Sequence, residues 1–498
     1  MAINVMECDL VVLGTGAAGP VAAVKAADDS GKKVIILEKG KKPGGGGTFG
    51  HVFPIKDSKW QKEAGETVND PPDVSGQFFD WLVTKGGAEE YWKVTGKPGD
   101  RSAAVFGTLA MYKRLDKYKD HPDPSIGPGW TGTYVFEKML ECCKKIGIPV
   151  ITGARAKKFI TDAKGRLTGV VADTDDGELQ VNCKACFMGM GGFGSDYEKC
   201  RKLWPDDFNY KPMARLSPPD NTGDWIEMAQ GIGAAVDLKS ANLELFGMIH
   251  HPYSYSIYSM LLNKMIMTPR PEWLLVTLNG DRWSYPADYT GGPGGKKDKR
   301  GLDVKKGPNP LSSLPGGAVY AIADSHTMEI LGNKAIADDW DVWAVPILNR
   351  WREEVEYEAA LDEKKTSHGN HVKKADTLED LALKMDVDPK AFVATVERYN
   401  KHCDNRKDPD FGKDPAALIP VRTPPYYAIW AHRFQNDTMG GMLVNDNMEV
   451  LDTKGKAIPG LFAGGSCTTS TGAAGMRRGW TAGFVGGISA AKYLQSLG

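Results

Sequence analysis

The sequence predicts an α/β protein in which a parallel-sheet domain is interrupted by an α+β insertion. Three observations carry this expectation. Residues 9–38 alternate strand, glycine turn, helix and strand; the last ninety residues return to that style; and between about Ala241 and residue 410 the chain changes character, becoming richer in aromatic and polar residues. The expected division is therefore 1–240 plus 411–498 for one domain and 241–410 for the other. A chain of 498 residues is too long for a single ordinary core.

The opening unit sets the first site. Leu10–Leu13 is a short apolar run, Gly14-Thr-Gly16-Ala17-Ala18-Gly19 a glycine turn, and Val34–Leu37 a second apolar run ending in Glu38. Gly14 allows the tight turn, Gly16 lets backbone approach a pyrophosphate, and Gly19 lets the helix sit close to the strand. The helix start at Ala17 and Ala18 offers N–H groups and a positive dipole end to phosphates. Glu38 is placed to accept from ribose hydroxyls. Strand, turn, helix, strand and acid in this order read as a Rossmann-like dinucleotide site.

Composition narrows the classes. Lys plus Arg (62) balance Asp plus Glu (63), so no global field would recruit nucleic acid or an anionic membrane. No apolar run approaches the roughly 18 residues of a membrane span. The first apolar segment already reads as a strand rather than a leader, which makes a cytoplasmic protein the default expectation. Eight cysteines do not suggest a disulfide framework, and Cys183-x-x-Cys186 lacks a second pair at zinc spacing; no metal is expected.

Further along, Pro43-Gly44-Gly45-Gly46-Gly47-Thr48 suits a loop whose N–H groups wrap a ligand. Helical patterns surround Phe78–Tyr91 and Ala103–Tyr118, and Val135–Ile146 reads as a helix stopped by Gly147. Pro149–Ile151, Ala156–Thr161 and Leu167–Asp173 alternate like strands. Within Gln180–Gly192, Ala185–Met188 reads as an apolar strand running into glycines. Thr222 or Asn221 is expected to cap a helix from Asp224. In the insertion, Trp273–Leu278 and Val319–Ala323 read as strands. Trp340–Glu358, Thr377–Met385 and a segment from Asp388 read as helices. Ile458–Gly465 is a strand ending in glycines, followed by a glycine turn holding Arg477 and Arg478 and a helix Ala482–Leu494.

These pieces resemble the fumarate reductase and succinate dehydrogenase flavoprotein superfamily, including 3-ketosteroid dehydrogenases. The matching residues are Gly14–Gly19 with Glu38 and Lys39, Gly44–Thr48, Gly191-Gly192-Phe193-Gly194, Thr222-Gly223-Asp224, Tyr399-Asn400, Pro425-Tyr426-Tyr427, Thr438–Gly441 and Pro459–Gly465. The resemblance implies a discontinuous Rossmann-like FAD-binding domain with an inserted α+β capping domain that helps hold substrate. It implies FAD held by Gly14, Gly16, Ala17, Ala18, Gly19, Glu38, Lys39, Gly46, Gly47 and Thr48. It further implies contact at Ala156 (through its backbone, to adenine), Gly191, Gly192, Asp224, Gly464, Gly465 and Ser466.

The departures from the family matter as much. Where fumarate reductases carry His-Thr-Met-Gly-Gly, this chain has Asp437-Thr438-Met439-Gly440-Gly441, and Thr290 falls near the place of their general-acid arginine. A C4-dicarboxylate reductase is therefore not expected. The ketosteroid enzymes' tyrosine in the C-terminal glycine turn is also missing. The expected reaction adds or removes hydrogens across a C–C bond next to a carbonyl or carboxylate, with a protein group handling the proton. Arg477 and Arg478 are the expected anion binders. His251, Tyr253, Tyr255, Tyr285 and Asp437 are the expected proton-handling or carbonyl-binding groups. Two alternatives stay open: flavin oxidation of a C–OH or C–N bond, and a subunit that relays electrons to a partner.

Overall fold

The computed structural model describes residues 4–44, 57–59, 62, 74–85, 131–203, 214–215, 220–238, 242–248, 273–284, 314, 317–329, 372–438, 440–469 and 475–498. Its centre is a six-stranded sheet in the order Glu449–Leu451, Ala457–Ala463, Ala185–Met188, Leu10–Leu13, Val34–Glu38, Val150–Thr152. All neighbours are parallel except the first pair. Leu10–Leu13 and Val34–Leu37 are apolar throughout because both faces are covered, as a parallel sheet requires.

On one face, Leu10, Val12, Val34 and Ile36 pack with buried residues of the helices Gly19–Ser30, Val74–Val83, Thr131–Lys145 and Gly475–Ser496. On the other, Val11, Leu13, Ile35 and Leu37 pack with a second sheet. That sheet has the order Asn4–Glu7, Gly177–Asn182, Leu167–Thr174, Arg155–Thr161. The expected strand Ala185–Met188 is present, and a further strand, Gly177–Asn182, precedes it. The chain leaves the second sheet at Asn182 and enters the parallel one at Ala185, with Cys183 buried at the crossing.

The third sheet is the core of the insertion. Its order is Asn242–Met248, Tyr426–Thr438, Ala318–Asp324, Leu274–Thr277, Arg282–Trp283, with Val372–Ala375 and Ala214–Arg215 also paired to the long strand. The boundary expected at 410 thus falls before the longest strand of this sheet, which continues to Thr438. Helices Leu378–Met385 and Pro389–Asp404 bury Leu381, Phe392, Val396 and Tyr399 against it. Thr377 and Asp388 cap them, accepting from the Asp380 and Lys390 amides.

The helix expected at 482–494 runs from Gly475 to Ser496 instead, so Arg477 and Arg478 lie in its first turn rather than in a glycine turn. Glycine is a poor helix former, but here packing decides. A Cβ on Gly479 would meet the Ala17 Cβ at 2.5 Å, and one on Gly483 the Ala18 carbonyl at 2.3 Å. Of the earlier patterns, Ala103–Tyr118, Trp340–Glu358 and most of Tyr91's surroundings lie outside the described residues.

Candidate functional site

Gly14 adopts φ +94°, and a Cβ there would come 2.5 Å from the Gly189 carbonyl. A Cβ on Gly19 would come 1.9 Å from the Gly14 carbonyl. These two glycines are dictated by backbone meeting backbone. Gly16 differs: its nearest neighbour would be the Gly189 carbonyl at 3.9 Å, so its surroundings leave room beside the backbone. The helix behind it has no side-chain cap and no acid in its first turn. An open, uncapped helix start is what a pyrophosphate requires, and these residues fit a dinucleotide.

The Glu38 carboxylate closes this turn. One oxygen accepts from the Thr15 amide (2.8 Å) and hydroxyl, the other from the Gly40 amide at 2.7 Å. Beside it, Lys39 Nζ donates to Thr222 Oγ1 (2.8 Å) and to Asp224 (3.1 Å), and Arg155 forks onto Asp224 at 2.9 and 2.8 Å. Burial pushes the Asp224 carboxyl up, but the Arg155 hydrogen bond and the Lys39 charge outweigh it and hold it at about 2. The expected cap at 221–222 is corrected here. Asp224 is the residue preceding the helix Trp225–Gly231 and makes no cap bond, because its carboxylate and the Thr222 hydroxyl are taken up by Lys39 and Arg155.

The same segment reaches the second glycine turn. Gly191 (φ +72°) leaves space that Asn221 fills, since a Cβ there would lie 2.4 Å from its side-chain oxygen. Gly192 follows it, and the Phe193 amide donates to Thr438 Oγ1 at 3.3 Å, tying this turn to the end of the long strand of the insertion. Ala156 is buried in the strand opposite Ala172.

From the chain's other end, Gly464 donates to the Met188 carbonyl, and Gly465 (φ +81°) would place a Cβ 3.6 Å from that of Ala18. The turn through Ser466 is held internally. Thr468 donates from its amide and hydroxyl to the Gly465 carbonyl, and Cys467 Sγ contacts the Met188 and Gly464 carbonyls. Arg478 is buried, and its guanidinium donates to the Thr468 carbonyl, an engagement with no signal in the sequence. The two chain ends thus form one cradle.

Other expected residues are placed less fully. Asp437 lies in the long strand opposite Leu243, and Arg477 in the first turn of the last helix. Gly46, Gly47, Thr48, His251, Tyr253, Tyr255 and Tyr285 lie outside the described residues. Sequence reasoning missed Arg155 and Thr15, whose only signal was adjacency to Ala156 and Gly14. Among the described residues, His402, Asp408 and Asp410 come within metal-ligand reach of one another, but Arg282 forks onto Asp408 at 2.7 Å through both nitrogens, which reads as an ion-pair cluster.

A cradle of glycines at an uncapped helix start, closed by Glu38 and completed from the C-terminal segment, fits a dinucleotide-binding protein of the glycine-fingerprint type. A family model described as an FAD binding domain matches residues 9–50 and 77–483, and the chain belongs to that family. Its cofactor is FAD. The chain is 25% identical over 472 residues to a vinyl phenol reductase of Lactiplantibacillus plantarum, covering 92% of this chain and 89% of that protein. It is 26% identical over 485 residues to a urocanate reductase of Eggerthella lenta, covering 92% and 69%. Among solved structures, a flavocytochrome c3 fumarate reductase in an open conformation superposes with a TM-score of 0.66 at 20% identity, over 98% of this chain and 79% of that one. Among the described residues no helix is long and apolar enough to cross a membrane.

Proposed function

We propose that the protein is an FAD-dependent oxidoreductase acting on CH–CH bonds, reducing an alkene conjugated to a carbonyl or carboxylate. The observation that carries this reading is that the vinyl phenol and urocanate reductases each match 92% of the chain, spanning both halves of the cradle. FAD, when bound, supplies the hydride chemistry.

The chain's own residues have two tasks: to hold the substrate's anionic or carbonyl end, and to deliver a proton to the carbon beside it. Arg477 and Arg478 stand at the positive end of the last helix, where an anion is favoured. Arg478 is engaged with the Thr468 carbonyl, so the substrate-anchoring role goes to Arg477. The proton donor is drawn from His251, Tyr253, Tyr255, Tyr285 and Asp437. Asp437 in place of the fumarate reductases' histidine argues for a substrate other than a C4 dicarboxylate. The partner is thus a small conjugated molecule, with electrons arriving from a separate donor, and the protein acts in the cytoplasm.

Anaerobic reduction of the flavin followed by enoates and enones tests the reading. Reoxidation by one of these classes with a saturated product is expected. The reading fails if none reoxidises the flavin and no saturated counterpart reduces it. Oxidation of a C–OH or C–N bond would instead leave C–C saturation unchanged. For Arg477→Met, KM for carboxylate substrates should rise on the order of 10- to 100-fold, the worth of a hydrogen bond to a charged group.

A further inference from the structure

We infer that Arg155 is a cofactor-retaining residue whose guanidinium, fixed by Asp224, closes the adenosine end of the FAD site. The inference rests on the FAD reading and not on the identity of the substrate.

Three segments converge on that end. The Gly153 and Ala154 amides donate to the Gly40 and Glu38 carbonyls, so the chain leading into the strand Arg155–Thr161 runs against the turn that carries the ribose-side acid. From another direction, a Cβ on Gly40 would lie 3.2 Å from Glu38 Oε1 and 3.6 Å from the Asp220 carboxylate, which brings the segment 220–224 onto the same turn. Asp224, the last residue of that segment, then binds both Lys39 and Arg155.

One carboxylate therefore holds two cations, and the two differ. The Lys39 side chain is 21% exposed and bridges Asp224 to Thr222, which is enough to neutralise the acid and tie the segments together. The Arg155 side chain is 62% exposed. An ion pair so open to water adds little to stability. What the fork does is hold a planar cation on Asp224 through two of its nitrogens, with the side chain still largely open to solvent, one residue before Ala156. A guanidinium held in this way would be able to stack on a purine ring and to attract phosphate charge. Lysine, a rotating point charge, would not.

The test measures FAD release from the holoenzyme by flavin fluorescence, together with competition by ADP, which carries the adenosine end alone. For Arg155→Gln, the FAD dissociation constant should rise about tenfold and ADP should compete about tenfold more weakly, with a shallower salt dependence. Arg155→Lys should recover only part of the loss. The unfolding midpoint of the FAD-free protein should stay within about 1 °C, as for surface substitutions generally. Unchanged FAD and ADP affinities would overturn the inference. So would an affinity loss matched by destabilisation of the FAD-free protein. Because no turnover is measured, these outcomes are independent of whether an enone or enoate proves to be the substrate.

Discussion

Around the parallel sheet, backbones meet where side chains are missing; around the antiparallel sheet of the insertion, charged side chains reach across to grip the backbone. In the first region Gly19 closes on Gly14, and Gly479 and Gly483 close on Ala17 and Ala18. In the second, the buried Asp324 carboxylate accepts from Thr327 (amide 2.7 Å, hydroxyl 2.8 Å) and from the Arg422 and Thr423 amides at 2.6 and 2.7 Å. Asp408 likewise binds the Arg282 fork and the Asp410 and Lys413 amides. A surface that must accept a dinucleotide closely is best made of N–H groups and no Cβ. A surface that must fix long connections needs groups that can each gather several donors.

The contrast predicts graded effects. The largest is expected from Arg282→Met, which strands a fully buried carboxylate and should cost about 3–5 kcal/mol in chemical denaturation. An intact unfolding midpoint there would show that Asp408 is served by its amides alone. Next comes Gly19→Ala, whose Cβ has no room beside the Gly14 carbonyl. A loss of about 3 kcal/mol with loss of bound flavin is expected, and a variant that keeps its flavin would mean the turn can relax. Asp324→Asn removes one anionic acceptor while the four donors stay, at about 1–3 kcal/mol. Thr438→Val, which leaves the Phe193 amide without its hydroxyl acceptor, should cost about 1 kcal/mol and weaken flavin binding only slightly.

Acid should reveal the side-chain region through Asp408. Burial raises the Asp408 carboxyl, while the Arg282 fork and the Lys413 amide outweigh it and hold it at about 2. A folded-state value below the unfolded one contributes stability in full above the ordinary carboxylate value of 3.8, lost as pH falls from there through about 2. Unfolding midpoints measured down that range should drop, and should drop less for Asp408→Asn relative to its own neutral-pH value.

What the sequence made legible follows the same division. Gly14, Gly16, Gly19 and Glu38 announce themselves because all four fall in order within one local strand, turn, helix and strand unit. The pairing of Arg282 with Asp408, or of Asp324 with Arg422, joins residues about a hundred or more positions apart through chemistry that leaves no periodic trace. The helix start at Gly475 was hidden for a related reason. Gly479 and Gly483 look like helix breakers until the Ala17–Ala18 surface that demands them is in place. Arg155 was invisible because an arginine in an exposed strand is ordinary until Asp224 fixes it.

The close fit of Gly479 on Ala17 also has a consequence in time. The two residues are 462 positions apart, so at the usual rates of synthesis about half a minute or more separates the emergence of the fingerprint from that of the helix that completes it. Until that helix arrives, the nascent fingerprint lacks one wall. Full enclosure of the flavin is thus expected only after that helix has been made, and the seated cofactor would join two segments far apart in the order of synthesis.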